Sequence, residues 1–252
     1  MRPGGKLPRF LKSYRLSRLF RAPTRRCVGI SFASVRSESE SVISARIREL
    51  ALTGIEALHL PLGLASHLQS LELPARPALI VQADVTNVAG SLLPAMPFCR
   101  TIDNLAEHAI RADAACISAR LFEIPEAPAL AVQCLRNIQR LKSACDRFCI
   151  PMLIDCRTPG PALIRRALDA GADIVTLEAP NDLAALPDSA RNTPFLVRLR
   201  ATAQDLPHSA ARSFAAGASG ILLTAADFPA EILSETARTI HAVAHGGTPT
   251  KP

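Results

Sequence analysis

Nowhere in this 252-residue chain do apolar residues run uninterrupted for the roughly 18 positions a membrane-crossing helix needs, so a membrane-spanning reading is excluded. No apolar core of the kind a secretory signal carries stands near the N-terminus, and secretion is not expected. There is no CxxC pair. The seven cysteines (Cys27, Cys99, Cys116, Cys134, Cys145, Cys149 and Cys156) are odd in number and scattered, which reads as reduced, buried thiols in a cytoplasmic protein. Cys145 and Cys149 lie one helical turn apart without a neighbouring histidine. His241 and His245, an i, i+4 pair near the end of the last helix, are expected to be solvated imidazoles at a helix C-terminus. No metal site and no cofactor is expected.

Acidic residues are missing from the first 37 positions, which hold ten lysines or arginines: Arg2, Lys6, Arg9, Lys12, Arg15, Arg18, Arg21, Arg25, Arg26 and Arg36. The net charge of +7 is therefore that of an arm; the rest carries 19 basic against 22 acidic residues. Basic residues recur every third position from Lys6 to Arg21, a step that drifts around a helix, and Phe10, Leu11, Tyr14, Leu16, Leu19 and Phe20 do not share one helical face. The arm reads first as an irregular segment that packs some apolar side chains on the body and leaves its charges in water. An organelle-targeting sequence, or contact with nucleic acid or a membrane surface, is a lesser reading.

Beyond the arm, short apolar runs alternate with longer helical patterns. Strands are predicted at Cys27 to Ser34, Ala57 to Leu62, Ala78 to Val85, Ala115 to Leu121, Met152 to Arg157, Asp173 to Glu178, Phe195 to Arg200 and Gly220 to Thr224. Helices are predicted to begin near Ser41, Ala65, Asn104, Pro128, Pro161, Leu183, Asp205 and Pro229. Glycine-containing stops at Gly54, Gly171 and Gly217 end helices just before strands. Eight βα units with short connections and no low-complexity linker predict an α/β fold, a single (β/α)8 TIM barrel with a basic N-terminal arm. The expected division is an arm over 1–25, a barrel over 26–247 and a tail over 248–252.

Sites in such barrels form at the C-terminal ends of the strands, where alternate side chains point inward. Polar residues fall two apart there: Gln82 and Asp84, Ser118 and Arg120, Asp155 and Arg157, Thr176 and Glu178, Arg198 and Arg200. They predict a mixed ring of Arg120, Arg157, Arg198 and Arg200 against Asp84, Asp155 and Glu178. Its surplus of positive charge suits an anionic small molecule such as a sugar phosphate. A self-satisfied ion-pair network is the competing reading.

Several motifs in fixed order resemble the DhnA-type class I aldolases of the DeoC/LacD-like group. They are Arg15-Leu16-Ser17-Arg18-Leu19-Phe20 before the first strand, Leu79-Ile80-Val81-Gln82 at the third and Ala112-Asp113-Ala114-Ala115-Cys116-Ile117-Ser118 at the fourth. Ile150-Pro151-Met152-Leu153-Ile154 at the fifth, Gly171-Ala172-Asp173-Ile174-Val175 at the sixth and Gly217-Ala218-Ser219-Gly220 at the eighth complete the set. The resemblance runs to about His245 and implies the barrel. It also implies a Schiff-base lysine on the sixth strand, where this chain has Thr176. Its only lysines, Lys6, Lys12, Lys142 and Lys251, lie on no predicted strand. The family's strand-one aspartate corresponds to Ala33 and its strand-five tyrosine to Arg157. Its phosphate-binding turns correspond to Arg200-Ala201-Thr202 and Thr224-Ala225-Ala226, neither with a glycine.

Three functions stay open. One is an aldolase-like barrel that has lost Schiff-base activity, a pseudoenzyme serving as a binding, regulatory or subunit-stabilising protein, with a homo-oligomer as one form it could take. Another is a lyase or isomerase on a phosphorylated or carboxylated sugar, with Asp155 or Glu178 as catalytic general base. Asp84, Arg120, Arg157, Thr176, Arg198 and Arg200 would then bind the substrate. The third is a protein whose partner meets the basic arm.

Overall fold

A computed structural model describes residues 6–33, 38–73, 75–88, 96–123, 125–157, 160–178, 192–200 and 206–246. Eight parallel strands close into a barrel: β1 (Cys27–Ser31), β2 (Ala57–Pro61), β3 (Ala78–Gln82), β6 (Ala114–Leu121), β7 (Met152–Cys156), β8 (Ile174–Glu178), β9 (Phe195–Leu199) and β10 (Gly220–Thr224). Each pairs with its neighbour in the chain of units, and β10 returns to β1 with Cys27 opposite Gly220 and Ser31 opposite Thr224. Gly220 is required at that seam. A Cβ there would collide with the Cys27 carbonyl and stand 2.7 Å from Leu196 Cδ2.

The strands are apolar on both faces, as parallel strands covered by helices must be. Their outward residues (Ile30, Leu58, Val81, Ile154, Val197, Ile221 among them) meet the helices α2 (Glu40–Ala51), α3 (Leu62–Leu68), α4 (Leu105–Arg111), α5 (Pro128–Arg147), α6 (Pro161–Asp169), α7 (Leu206–Ala215) and α8 (Ala230–Ala244). Pro128 and Pro161 occupy first-turn positions, where their missing N–H costs nothing. The helix predicted near Leu183 falls in 179–191, outside the described residues, as do Ser34, Asp205, the Ala201-Thr202 turn and the tail.

Two expectations are corrected. The third predicted strand, Ala78 to Val85, is not continuous. β3 ends at Gln82, and β4 (Asp84–Thr86) leaves the barrel to pair antiparallel with β5 (Cys99–Thr101), so Asp84 stands on a ribbon above the barrel. The arm is not irregular, because Lys6–Leu19 form the helix α1.

Helix α1 stops the N-terminal end of the barrel. Leu19 is 1% exposed and, with Leu16 and Phe20, joins Cys27, Ala57, Ile80, Cys116, Leu153, Ile174 and Leu196 in the barrel floor. Its described basic side chains, Lys12, Arg15 and Arg18, are engaged rather than free in water. Lys12 pairs with Asp173 at 2.8 Å and Asp146 at 3.1 Å, Arg15 donates to the Ala114 carbonyl, and Arg18 grips Asp113 through two bonds of 2.8 and 2.9 Å. Among the described residues no helix is long and apolar enough to cross a membrane.

Candidate functional site

The inward positions change character along the barrel axis. The floor is apolar up to Ile80, Cys116, Leu153, Ile174 and Leu196. Two residues further along each strand, alternation brings Gln82, Ser118, Asp155, Thr176 and Arg198 to the same interior, all buried. Ser31, His59 and Thr224 complete this polar layer from β1, β2 and β10.

Asp155 is its electrostatic centre. Arg198 Nη2 donates to both carboxylate oxygens at 3.1 and 3.0 Å, while its Nη1 donates to Thr224 Oγ1 at 3.0 Å. Arg157, just past the end of β7, brings Nε to 2.8 Å from Asp155 Oδ2. Burial alone would push the Asp155 carboxyl up, but Arg157 and Arg198, with His59 and Arg120 behind them, outweigh it and hold the acid well below the usual carboxylate range. So placed, Asp155 is a poor proton acceptor near neutral pH.

The predicted ring separates into three pairings. Asp155 serves Arg157 and Arg198. Asp84 accepts from the Arg120 backbone N–H at 3.0 Å and faces Arg120 Nε at 3.4 Å; burial raises its carboxyl, with Arg120 opposing. Glu178 accepts from Arg200 at 2.6 Å at the outer rim, a pair that stabilises the Arg200 guanidinium. Arg200 is exposed and Glu178 half-buried.

Sequence alternation at the five polar strand ends left out a second network. His59 Nδ1 lies 3.0 Å from Ser31 Oγ and its Nε2 lies 2.7 Å from Ser118 Oγ. Burial drives this imidazole down to about 3, against the pull of Asp155 and with help from Arg198, Arg120 and Arg157. It is neutral, so one ring nitrogen donates and the other accepts, linking three strands. The signal was present in the pattern, since Ser31 and His59 sit at the inward parity of their strands.

Not every buried polar atom finds a partner. Among the described residues Thr176 Oγ1, Gln82 Oε1 and Arg198 Nε are buried with no hydrogen bond, and Nε of Arg120 and Arg157 lie at ion-pair distance without hydrogen-bond alignment. Groups so placed cost stability unless something else satisfies them.

The family profile described as DeoC/LacD family aldolase matches residues 32–230. The chain belongs to the DeoC/LacD aldolase family. No curated protein matches it. Among solved structures this family member is similar to an archaeal fructose 1,6-bisphosphate aldolase, with a TM-score of 0.70 at 16% identity over 94% of this chain and 100% of that one. It is also similar to a protein of Corynebacterium glutamicum (0.65, 12% identity, 94% and 92% covered). A 2,3-dimethylmalate lyase of the PEP mutase/isocitrate lyase superfamily gives 0.57 at 16% identity over 94% and 86%. At these identities the likeness is one of fold.

Within this DeoC/LacD barrel Thr176 faces the interior of the sixth barrel strand, level with Asp155 in the β7–β8 register. The lysines whose side chains are described lie elsewhere: Lys12 is beneath the floor and Lys142, on α5, pairs with Asp146. After β10, Thr224 leads into a tight 3-10 turn, Ala225–Asp227, whose first carbonyl accepts from the buried Arg46 at 3.0 Å.

Proposed function

We propose that this DeoC/LacD family member binds a small phosphate- or carboxylate-bearing molecule at the barrel mouth without forming a lysine Schiff base, and serves in a binding or regulatory role. The observation that carries this reading is Thr176, buried and without a hydrogen-bond partner at the sixth-strand position, level with the buried Asp155 that Arg157 and Arg198 hold. A threonine hydroxyl cannot form an iminium. The unpaired Nε–H of Arg198 and the Arg157 guanidinium supply donors suited to an oxyanion. A cytoplasmic setting accords with seven unpaired cysteines, six of them buried.

A thermal-shift comparison tests the proposal, using inorganic phosphate, fructose 1,6-bisphosphate and small dicarboxylates on the protein, on Arg157→Ala and on Thr176→Val. At least one ligand should raise the wild-type Tm, the shift should shrink in both variants, and borohydride with a carbonyl substrate should leave no adduct by mass spectrometry. Thr176→Val should fold as well as wild type, since the hydroxyl it removes has no partner. A borohydride-trapped adduct, or no response to any ligand, would overturn the proposal.

A second reading, a lyase or isomerase, is favoured by Glu178. At the rim it pairs with the exposed Arg200, whereas Asp155 is locked between the buried Arg198 and the half-buried Arg157. Turnover abolished by Glu178→Gln with folding intact would select it.

A further inference from the structure

We infer that the N-terminal end of the barrel carries a divalent-metal site made of two imidazoles and a carboxylate, His241, His245 and Glu56. This is independent of the reading of the barrel mouth, which lies at the opposite end. The i, i+4 spacing at the end of α8 puts both histidines on one face, with ring centroids 4.4 Å apart. Both turn Nε2 toward the same atom: Glu56 Oε1 is 3.0 Å from His241 and 3.1 Å from His245. The three candidate donor atoms lie within 4.8 Å of one another.

The supports are those a metal site needs. Glu56 is 3% exposed, and its other oxygen accepts the Val28 backbone N–H at 2.7 Å, which leaves Oε1 to face the histidines. Thr24 Oγ1 lies 2.7 Å from His245 Nδ1, an outer partner able to accept from Nδ1–H once Nε2 ligates an ion. Gly54, at φ +88°, lays bare backbone against the His241 ring; a Cβ there would stand 3.0 Å from Cε1. The nearby cation Arg26 is occupied by the Ala244 carbonyl at 3.0 Å and by the Phe214 ring.

Hydrogen bonds alone could join these groups, but the spacing also suits a metal. Ligands about 2.0–2.1 Å from a tetrahedral Zn2+ stand roughly 3.3 Å apart, so a small opening of the cluster admits the ion. Two imidazole nitrogens and one carboxylate oxygen select a borderline ion such as Zn2+, with water as fourth ligand. At the end of the barrel away from the polar layer, the ion would act as a clip. It would fasten the last helix to the start of β2, with Thr24 of the segment between α1 and β1 as its outer support.

Untagged, full-length protein stripped with chelator and titrated with Zn2+ by calorimetry, and with Co2+ by visible absorbance, tests the site. One equivalent should bind, Zn2+ should raise Tm by several degrees, and the Co2+ spectrum should show four-coordinate bands without thiolate charge transfer. His241→Gln and His245→Gln should each weaken binding at least about tenfold, and Thr24→Ala should weaken it less. Should either histidine variant misfold, Thr24→Ala carries the test. No stoichiometric binding, a thiolate band, or affinity unchanged in the folded variants would overturn the inference.

Discussion

His59 shows most directly how position sets chemistry. In the unfolded chain its imidazole titrates near about 6.5, and burial brings it down to about 3 in the folded barrel. Between those values the unfolded state holds a proton that the native state refuses, so the His59 contribution to stability is present above about pH 6.5 and is lost as pH falls toward 3. Asp155 acts in the same direction at lower pH. Its depressed carboxyl stabilises the fold above the ordinary aspartate range and ceases to do so in acid. Tm should therefore fall steadily from pH 7 to pH 4, and His59→Gln should flatten that slope in a pH series of thermal melts. An unchanged slope would place the acid sensitivity elsewhere.

Helix α1 is the element whose behaviour the chain disguises. Its apolar residues do not all serve one face: Phe10, Leu11 and Tyr14 are exposed, while Leu16 and Leu19, with Phe20 just past its end, pack into the barrel floor and Lys12, Arg15 and Arg18 meet acids and carbonyls at the strand starts. The two kinds of contact differ in energy. Leu19→Ala empties a fully buried position and should cost about 2–5 kcal/mol. Arg18→Ala breaks a pair whose Asp113 is largely exposed and should cost no more than about 1 kcal/mol. Denaturant melts of the two variants check the ordering. Equal losses would mean that the charges, not the apolar tip, hold the helix in place. The β4–β5 ribbon was hidden for a related reason. Ala78 to Val85 reads as one strand with Gln82 and Asp84 at the same parity, and nothing local marks the point after Gln82 where the backbone leaves the barrel.

For the whole molecule, the thiols report the packing. Six of the seven cysteines are buried and Cys149 alone is partly accessible; burial also pushes the Cys145 thiol up to about 12, so little thiolate forms there. A thiol reagent should titrate no more than one group in the native protein and all seven after denaturation. Fast reaction of several native thiols would contradict a single closed core.

The sequence by itself determined the barrel, since eight apolar runs alternating with helical segments have few ways to bury both strand faces. It also determined which polar residues face inward, because a strand alternates with a period of two whatever its partners. Only the tertiary structure decided who pairs with whom. Asp155 belongs to Arg157 and Arg198 and not to Arg120, Ser31 and Ser118 meet through His59, and Glu56 gathers two histidines nearly two hundred positions away. Those partnerships depend on strand stagger, on a ribbon that lifts Asp84 out of the sheet, and on where the last helix returns to the first strands. Such relations are set by closing the chain on itself, and no local pattern of residues encodes them.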